Sequence, residues 1–475
     1  MEAALAGTPR VAVAARPGSA FAAGLLGAWA AGCAAVPVSP GAAAAEVRRA
    51  VEVCGVRAMV GAAVDRSGTM ATAAGAGVDI PWIEVGKGEV GPPEVPGVAD
   101  MLEGSAGRYA DGKGAAVLFT SGSTGRPKAV VHTHGSLRSQ VEALTGAWGI
   151  GEEDTVLHCL PVDHIHGLVN ALLCPLGVGA RVDFLGGGFE AGRVWQRLGE
   201  APRITVFMGV PAMYAKLVRA CEGQDGAPGA AGGELRLAVS GSAACPVPVL
   251  EGWQRVTGGQ IPLERFGMTE TGMVLSNPLE ASGRRAGLVG QPMGVMECRV
   301  VAGDGAGEGA SREAKEGELR VRGPQLFSGY LGDPAATTAA FDEQGYFRTG
   351  DVVRREELPG GGWYRVLGRA SVDILKTGGH KVSALEVEGA LLTLEGVREA
   401  AVVGIPSPIM GHVIGAAVAV EPGAGLDEGA LTEHLRAHIS RYKLPKVFRF
   451  VDALPRNAMG KVNKRDLLQS LFSSP

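Results

Sequence analysis

Residues 118–128 read LFTSGSTGRPK and carry the strongest structural signal in the chain. An apolar strand, predicted over 115–120, runs into a loop that combines glycines, hydroxyl side chains and a lysine. Glycines let backbone N–H groups approach a phosphate closely, hydroxyls add hydrogen-bond donors, and the lysine adds positive charge. The spacing departs from the Walker A pattern, which excludes an ordinary P-loop nucleotide hydrolase. The residues predicted to bind phosphate are Thr120, Ser121, Gly122, Ser123, Thr124, Gly125 and Lys128.

Apolar runs of strand length alternate with helical stretches on both sides of this loop. Strands are predicted at 11–14, 115–120, 155–160, 204–208 and 235–240. Helices are predicted between them, at 135–147 and 210–221 among others. This alternation predicts an α/β fold in which largely parallel sheets are flanked by helices.

The pattern changes after about residue 290. Strands predicted at 318–322 and 363–367 suggest a barrel-like or antiparallel subdomain. A helix, two strands and a second helix are predicted beyond residue 380, at 382–392, 400–403, 415–420 and 431–439. This last part is large enough for a small α+β domain of its own. We therefore predict an N-terminal domain over 1–370 and a mobile C-terminal domain over 371–475.

Composition limits the classes of function. The 475 residues include 45 Lys and Arg against 49 Asp and Glu, a net charge of −4 that argues against bulk nucleic-acid binding. The seven cysteines are scattered and form no C-x-x-C pair, so neither a disulfide framework nor a zinc site is expected. The expected partners are small molecules, and the expected assembly is a monomer or a homodimer.

One apolar run, residues 21–38, has the length of a signal peptide or a membrane span. It is mostly Ala and Gly, and Pro37 interrupts its end, so we predict a buried helix followed by a short strand. No stable membrane insertion is expected. The predicted location is the cytoplasm, or a mitochondrial or plastid matrix if the chain lacks an N-terminal segment.

Six motifs, in order over residues 115–465, resemble the superfamily that includes acyl-CoA synthetases, non-ribosomal peptide adenylation domains and luciferases. Beside the loop at 118–128 they are SGSA at 240–243, ERFGMTE at 264–270, GYFRTGD at 345–351, GR at 368–369 and LPRNAMGK at 454–461. The resemblance implies an enzyme that uses ATP and Mg²⁺ to convert a carboxylic acid into an acyl-adenylate. In the acyl-CoA synthetases of this superfamily, coenzyme A is the second substrate.

The resemblance assigns roles that fit the chemistry of the residues. Asp351 would accept both ribose hydroxyls, and Arg369 would pair with the ribose or the α-phosphate. Thr269 would donate to the α-phosphate, and Glu270 is a hard oxygen ligand suited to Mg²⁺. Lys461 is the expected catalytic lysine, because its ammonium can bridge the attacking carboxylate and the α-phosphate as charge develops.

The resemblance also places the adenine, the metal and the hinge. Ser242, Phe266 and Gly267 would border the adenine, with Phe266 in place of the family's usual Tyr. Thr124 would join Glu270 at the metal. Ser371 stands at the family's hinge, about which the C-terminal domain swings between the two half-reactions. The residues expected on the coenzyme A side after that swing are Lys376, Gly378 and Gly379.

The acid is inferred from three finer resemblances to malonyl-CoA synthetases. They are PVDHIHGLVNA at 161–171, Glu264–Arg265 before the FGMTE motif, and SNPL at 276–279 followed by two arginines. Malonate keeps one ionised carboxylate while the other is activated, and burying that charge without a cation is costly. A bidentate arginine is its natural partner. The predicted malonate ligands are Arg265 and one of Arg284 and Arg285, with His166 and Ser276 as donors.

Other readings stay open at this point. Arg265 could form a structural ion pair while Arg284 and Arg285 lie in a solvated loop. The acid could be methylmalonate or another short-chain or aryl acid, and the acceptor could be a carrier-protein thiol. A non-catalytic binding protein of the same fold would have no need of the complete motif set.

Overall fold

The computed structural model describes residues 7–75, 77–85, 109–120, 127–221, 235–302, 314–456 and 462–472. Within these ranges the strands form four sheets. The longer α-helices are Ser19–Ala30, Ala44–Cys54, Ala63–Gly75, His134–Trp148, Ala191–Leu198, Pro211–Cys221, Val247–Val256, Ala384–Leu392 and Glu428–His438. Short helical segments are Cys174–Gly177, Ala281–Gly283, Pro334–Ala339, Arg441–Lys443 and Lys464–Leu467, with π-helices at His166–Leu173 and Leu468–Phe472.

The first sheet carries the strand that leads into the phosphate loop. In spatial order its strands are Gly329–Tyr330, Lys128–Thr133, Gly114–Thr120, Ala34–Pro37, Arg10–Val13, Met59–Gly61 and Trp82–Glu84. The last five run parallel. The first two join antiparallel at one edge, so a strand near residue 330 lies directly beside the strand that follows the phosphate loop.

The second sheet supports the rest of the candidate site. Its strands are Gln291–Pro292, Gly272–Ser276, Leu263–Met268, Leu237–Ser240, Val206–Gly209, Thr155–His158 and Arg181–Phe184. The last five are parallel, with helices between them in the chain. The first two are antiparallel additions, of which Gly272–Ser276 directly follows the turn after the FGMTE motif.

The third and fourth sheets are smaller. The third is antiparallel and consists of Glu297–Val301, Glu316–Arg322, Phe347–Leu358 and Gly361–Arg369. The fourth consists of His380–Ser383, Ile374–Thr377, Gly411–Val420, Val397–Ser407 and Val447–Phe450. All its pairings are antiparallel except that of the last strand.

Separate clusters of buried hydrophobic residues hold these sheets. Residues from the first and second sheets share one large buried cluster, in which Trp195, Phe207, Tyr214 and Trp253 contact one another edge-on or stacked. Such aromatic pairs add to the stabilisation from area burial and fix the strand positions. The fourth sheet packs on its own helices through a second cluster that includes Val387.

This architecture confirms the predicted fold class: a large parallel-rich N-terminal part and a smaller C-terminal sheet domain. The run at 21–38 is a helix, Ser19–Ala30, followed by the buried strand Ala34–Pro37, as predicted. None of the helices in the described part of the chain has the length and apolar character that a membrane crossing needs.

Candidate nucleotide and acid site

The candidate site lies where parallel strands of the second sheet end. Leu237–Ser240 runs into the turn at Gly241 and Ser242, and Leu263–Met268 runs into the turn at Thr269 and Glu270. Ligands of open α/β sheets bind at the carboxyl ends of parallel strands. Ser242 has φ of 70°, a conformation that is costly for a residue with a side chain and that often marks a functional turn.

The Thr269–Glu270 turn is held from three directions. The His132 Nε2 lies 2.7 Å from the Thr269 carbonyl oxygen, the Phe327 N–H donates to the Glu270 carbonyl at 2.8 Å, and the Tyr330 hydroxyl donates to Glu270 Oε1 at 3.0 Å. Burial lowers the pKa of His132 to about 4, so the ring is neutral near pH 7. Its Nδ1 faces the Gln140 amide nitrogen at 3.3 Å, which fixes the hydrogen on Nε2, toward Thr269.

Glu270 has the properties of a cation ligand. Its residue surface is only 7% exposed, and no described Lys, Arg or His forms an ion pair with it. A buried carboxylate without a compensating cation is costly, and carboxylate oxygens are preferred by Mg²⁺. The residue therefore fits the predicted metal role. Thr124, the other predicted metal residue, lies outside the described residues.

The phosphate loop is described at its two ends. Thr120 and Lys128 are register partners where two antiparallel strands of the first sheet meet it, so the loop closes a hairpin. The Lys128 ammonium lies 4.3 Å from the centroid of the Tyr330 ring. The other predicted residues of the loop, Ser121, Gly122, Ser123, Thr124 and Gly125, lie outside the described residues, as does Lys461.

The predicted ribose residues meet in the third sheet. Asp351 and Arg369 are register partners on adjacent antiparallel strands, and the Arg369 Nη2 lies 3.1 Å from Asp351 Oδ2. The Arg369 Nη1 donates to the Thr349 carbonyl at 3.2 Å, which anchors the guanidinium. The pair thus presents a carboxylate and a cation together, as the ribose and α-phosphate roles require.

The predicted adenine residues lie in the same region. Ser242 Oγ is 3.3 Å from His166 Nδ1, so the turn contacts the π-helix His166–Leu173. Phe266 is half-buried at the start of an irregularity in the pairing of its strand, and Gly267 follows it. A Cβ at Gly267 would lie 2.2 Å from the Gly272 carbonyl oxygen, so only glycine fits there.

Arg265 is the most unusual charged residue of the site. It is 4% exposed, and neither its Nε nor its Nη2 has a hydrogen-bond partner among the described residues. Its guanidinium lies so close to the Gly241 backbone that a Cβ there would be 2.3 Å from Arg265 Cζ. Burial lowers its pKa to about 9. An ion pair with Arg265 is not observed in the described part of the chain, and a buried cation without one is costly.

Three other predicted acid ligands are engaged elsewhere. Ser276 donates its hydroxyl hydrogen to the Asn277 carbonyl at 2.8 Å and accepts from the Trp148 indole at 3.0 Å. The Arg284 guanidinium donates to the carbonyls of Pro278, Ile261 and Leu279. Since these bonds satisfy them, Ser276 and Arg284 support the structure in this conformation instead of facing an acid.

Arg285 also does not face the acid. Its side chain is exposed, and its Nη1 donates to the Ser282 and Arg284 carbonyls at 3.2 Å. The prediction that one of Arg284 and Arg285 contacts the acid stays a prediction. His166 differs, because it is buried at the start of a π-helix and contacts Ser242, whose neighbour Gly241 packs against the Arg265 guanidinium.

The predicted hinge and coenzyme A side are at the surface. Ser371 and Lys376 are exposed. Gly378 and Gly379 form a tight turn with φ of 55° and 81°, and the Gly378 N–H donates to the Met410 carbonyl at 2.9 Å. Only glycine takes two such positive φ values in succession without strain.

The sequence analysis missed several residues that hold these groups in place. Tyr330 and His132 contact the Glu270 and Thr269 turn, although they are distant from it in sequence. Lys464 lies 2.5 Å from Asp373 and 2.7 Å from Glu388, forming a largely buried charge network in the C-terminal domain. In the sequence, only the closeness of Asp373 to the GR motif at 368–369 pointed to any of these contacts.

Two models of known protein families match the chain. Residues 3–331 match the family model described as AMP-binding enzyme, and residues 386–461 match that of the AMP-binding enzyme C-terminal domain. The chain belongs to the AMP-binding enzyme family. Individual relatives and solved structures can be compared with this chain within that family.

Individual relatives narrow the comparison. The mitochondrial malonate–CoA ligase of Bos taurus is 43% identical over 386 residues, which are 76% of this chain and 65% of that enzyme. A malonate–CoA ligase of Arabidopsis thaliana is 37% identical and covers 97% of this chain and 78% of its own length. The ATP-bound structure of MatB from Rhodopseudomonas palustris superposes with a TM-score of 0.79 at 30% identity, covering 98% of this chain and 90% of that chain. The match thus spans about two thirds of the length of the bovine relative.

Proposed function

We propose that this AMP-binding enzyme is an AMP-forming ligase that joins malonate to coenzyme A. It adenylates malonate with ATP and Mg²⁺, releasing pyrophosphate, and then transfers the malonyl group to the thiol of coenzyme A, releasing AMP. Two relatives at 37% and 43% identity are named malonate–CoA ligases, which supports this choice within the family.

The buried cation Arg265 carries the choice of acid. A guanidinium that is 4% exposed, with two nitrogen atoms that lack partners among the described residues, is stabilised when an anion enters beside it. The free carboxylate of malonate supplies that anion, with His166 next to the same turn. An apolar acid would leave the guanidinium buried and unpaired, so the site selects against it.

The contacts around the strand ends support the proposed nucleotide roles. Asp351 would accept the ribose hydroxyls, with Arg369 oriented beside it toward the ribose or α-phosphate. Thr269 would donate to the α-phosphate, and Lys128 would face the terminal phosphates. Glu270 would hold Mg²⁺, which neutralises charge on the triphosphate when bound.

We propose that Lys461 stabilises the negative charge that develops in the first step. The malonate carboxylate attacks the α-phosphorus, and the bond to pyrophosphate breaks. In our proposal the Lys461 ammonium bridges the attacking oxygen and the α-phosphate while the negative charge increases there. Lys461 is assigned this role on the basis of its motif at 454–461.

The second step would use the C-terminal domain in another orientation. We propose that residues 371–475 turn as a unit about the boundary at 369–371, with Ser371 as the pivot. Their separate hydrophobic core supports such a unit. The turn at Gly378 and Gly379 would then face the pantetheine arm, with Lys376 nearby, and the thiol would attack the acyl carbon and displace AMP.

A panel of acids tests the proposal. The chain is incubated with ATP, Mg²⁺, coenzyme A and one of malonate, methylmalonate, succinate, propionate, octanoate or benzoate, and AMP and thioester are quantified. Malonate should give the highest kcat/KM, with methylmalonate as a possible second substrate, and both products should form in equal amounts. ADP as the nucleotide product, or propionate and octanoate ahead of malonate, would contradict it.

The proposal extends to the cellular compartment and the oligomeric state. The bovine relative is named mitochondrial, which favours a mitochondrial matrix over the cytoplasm for this ligase. We propose a monomer or homodimer, which the molar mass from light scattering decides. Fractionation of source cells followed by detection of the chain decides the compartment.

A further inference from the structure

One tyrosine links the phosphate loop to the proposed metal ligand. Tyr330 lies in the edge strand Gly329–Tyr330, paired with Val130, and is 9% exposed. Its hydroxyl donates to Glu270 Oε1 at 3.0 Å, and its ring lies 4.3 Å from the Lys128 ammonium. A single side chain thus contacts both a buried carboxylate and the lysine at the end of the phosphate loop.

The position of this ring is fixed by its surroundings. The Tyr330 backbone N–H donates to Thr337 Oγ1 at 2.9 Å, and Thr337 in turn donates to the Asp333 carbonyl at 2.8 Å. The Phe327 ring packs edge-on against the Tyr330 ring, with centroids 4.9 Å apart. These contacts hold the residue in place, so its hydroxyl can serve as a fixed donor to Glu270.

We propose that Tyr330 is a positioning residue that orients Glu270 toward the bound cation and keeps Lys128 directed at the phosphates. This inference rests on the proposed ATP-dependent function. A hydrogen bond to one carboxylate oxygen fixes the rotation of the group, and loss of such outer partners typically lowers metal affinity by about 10–100-fold. The cation–π contact with Lys128 restrains the ammonium without neutralising it.

A second tyrosine in the same part of the chain provides a matched control. The Tyr346 hydroxyl donates to Glu297 Oε2 at 2.5 Å, and the Arg299 guanidinium lies 4.2 Å from its ring centroid. The chemistry repeats that of Tyr330, but Glu297 is already paired with Arg322 and its side chain is 51% exposed. Removing this hydroxyl should therefore leave nucleotide and metal binding unchanged.

The test measures ATP binding instead of turnover. The dissociation constant for ATP is determined by isothermal titration calorimetry with Mg²⁺ and with EDTA, for the wild type, Tyr330→Phe and Tyr346→Phe. Mg²⁺ should strengthen ATP binding by the wild type and by Tyr346→Phe to the same extent. In Tyr330→Phe, which keeps the ring beside Lys128, this gain should fall about tenfold or more, while binding in EDTA stays the same.

A Glu270→Gln background separates positioning from a general effect on the fold. If Tyr330 acts through Glu270, then Tyr330→Phe should cause no further loss of the Mg²⁺ gain in Glu270→Gln. An equal Mg²⁺ gain in wild type and Tyr330→Phe, or additive losses in the double variant, would overturn the inference alone. A wild type whose ATP binding is absent or insensitive to Mg²⁺ would overturn the proposed function as well.

Discussion

The Arg369 guanidinium lies 3.1 Å from the Asp351 carboxylate, directly across the register of two antiparallel strands. Asp351 is 7% exposed, and its backbone N–H donates to Thr349 Oγ1 at 3.1 Å. The same Thr349 accepts from Arg369 through its carbonyl. A carboxylate held in this way is oriented before a ribose arrives, so little ordering remains to be done on binding.

Asp351→Asn should therefore weaken the recognition of ribose hydroxyls specifically. A hydrogen bond to a charged group contributes about 1.5–3 kcal/mol, so KM for ATP should rise by about tenfold or more. With 2′,3′-dideoxy-ATP, which lacks both hydroxyls, wild type and variant should perform alike. A similar penalty with both nucleotides would assign Asp351 to the fold and not to the ribose.

Glu264 makes a pH-dependent contribution to stability. Its carboxylate is 5% exposed and accepts from the Gly287 N–H at 2.8 Å, and burial raises its pKa to about 7. Because the folded-state pKa exceeds the unfolded value of 4.5, this contribution to stability is fully present below about pH 4.5 and is lost as pH rises through 7. The protein should lose stability over that window.

Glu264→Gln keeps an acceptor for the Gly287 N–H and removes the charge. The pKa shift from 4.5 to about 7 corresponds to roughly 3 kcal/mol at pH 8, at 1.36 kcal/mol per unit. The variant should thus gain thermal stability over wild type at pH 8 and much less at pH 5. The exposed Glu280→Gln serves as control, and an equal gain at both pH values would contradict the argument.

The network of Lys464, Asp373 and Glu388 should stabilise the C-terminal domain strongly. Lys464→Met leaves two largely buried carboxylates facing each other, and breaking such an arrangement costs about 3–5 kcal/mol. Lys443→Met removes a more exposed pair with Glu386 and should cost no more than about 1 kcal/mol. Unfolding of the full chain in urea at pH 7 measures both, and equal losses would refute this ranking.

The two half-reactions should respond differently to the loss of Lys461. Lys461→Ala should slow malonate-dependent pyrophosphate release by about 100-fold or more, in the range for loss of one charge-stabilising donor. Formation of thioester from supplied malonyl-adenylate should largely survive, because the lysine matches only the first transition state. Rapid-quench measurement of each step checks this, and the same loss in both would remove Lys461 from its assigned role.

Local patterns were enough to predict the elements of the fold. The strand Gly114–Thr120 and the helix His134–Trp148 lie within one residue of their predicted bounds, because apolar periodicity and the glycine-rich loop are local signals. The edge strand Gly329–Tyr330 was not predicted. Its two residues have no periodicity, and its partner strand, Lys128–Thr133, is distant in the chain.

Site residues that belong to a motif could be predicted from the sequence. Contacts that depend on which of several partners a side chain binds could not. Asp351 and Arg369 were identified from motifs, and the structure places them 3.1 Å apart. One of Arg284 and Arg285 was predicted to face the acid, but loop carbonyls compete for a guanidinium, and three of them bind Arg284 here. Tyr330 contacts Glu270 across a long interval of sequence, and only the packed structure reveals such a contact.

In our proposal Arg265 selects a dicarboxylate over an acid with an uncharged acyl chain, and its substitution tests that central claim. Arg265→Ala removes the cation that faces the free carboxylate. The kcat/KM for malonate should fall by about tenfold or more, because 1.4 kcal/mol is one decade and a charged hydrogen bond contributes at least that much. Propionate carries no second charge, so its kcat/KM should change far less or rise.

Arg284→Ala is the matched control, since it removes another buried arginine whose bonds go to backbone carbonyls. It should affect both acids alike through the fold. The deciding quantity is the ratio of kcat/KM for malonate to that for propionate, measured in wild type, Arg265→Ala and Arg284→Ala. Our account predicts that this ratio falls at least about tenfold in Arg265→Ala only. An unchanged ratio in Arg265→Ala, with both acids losing equally, would contradict it.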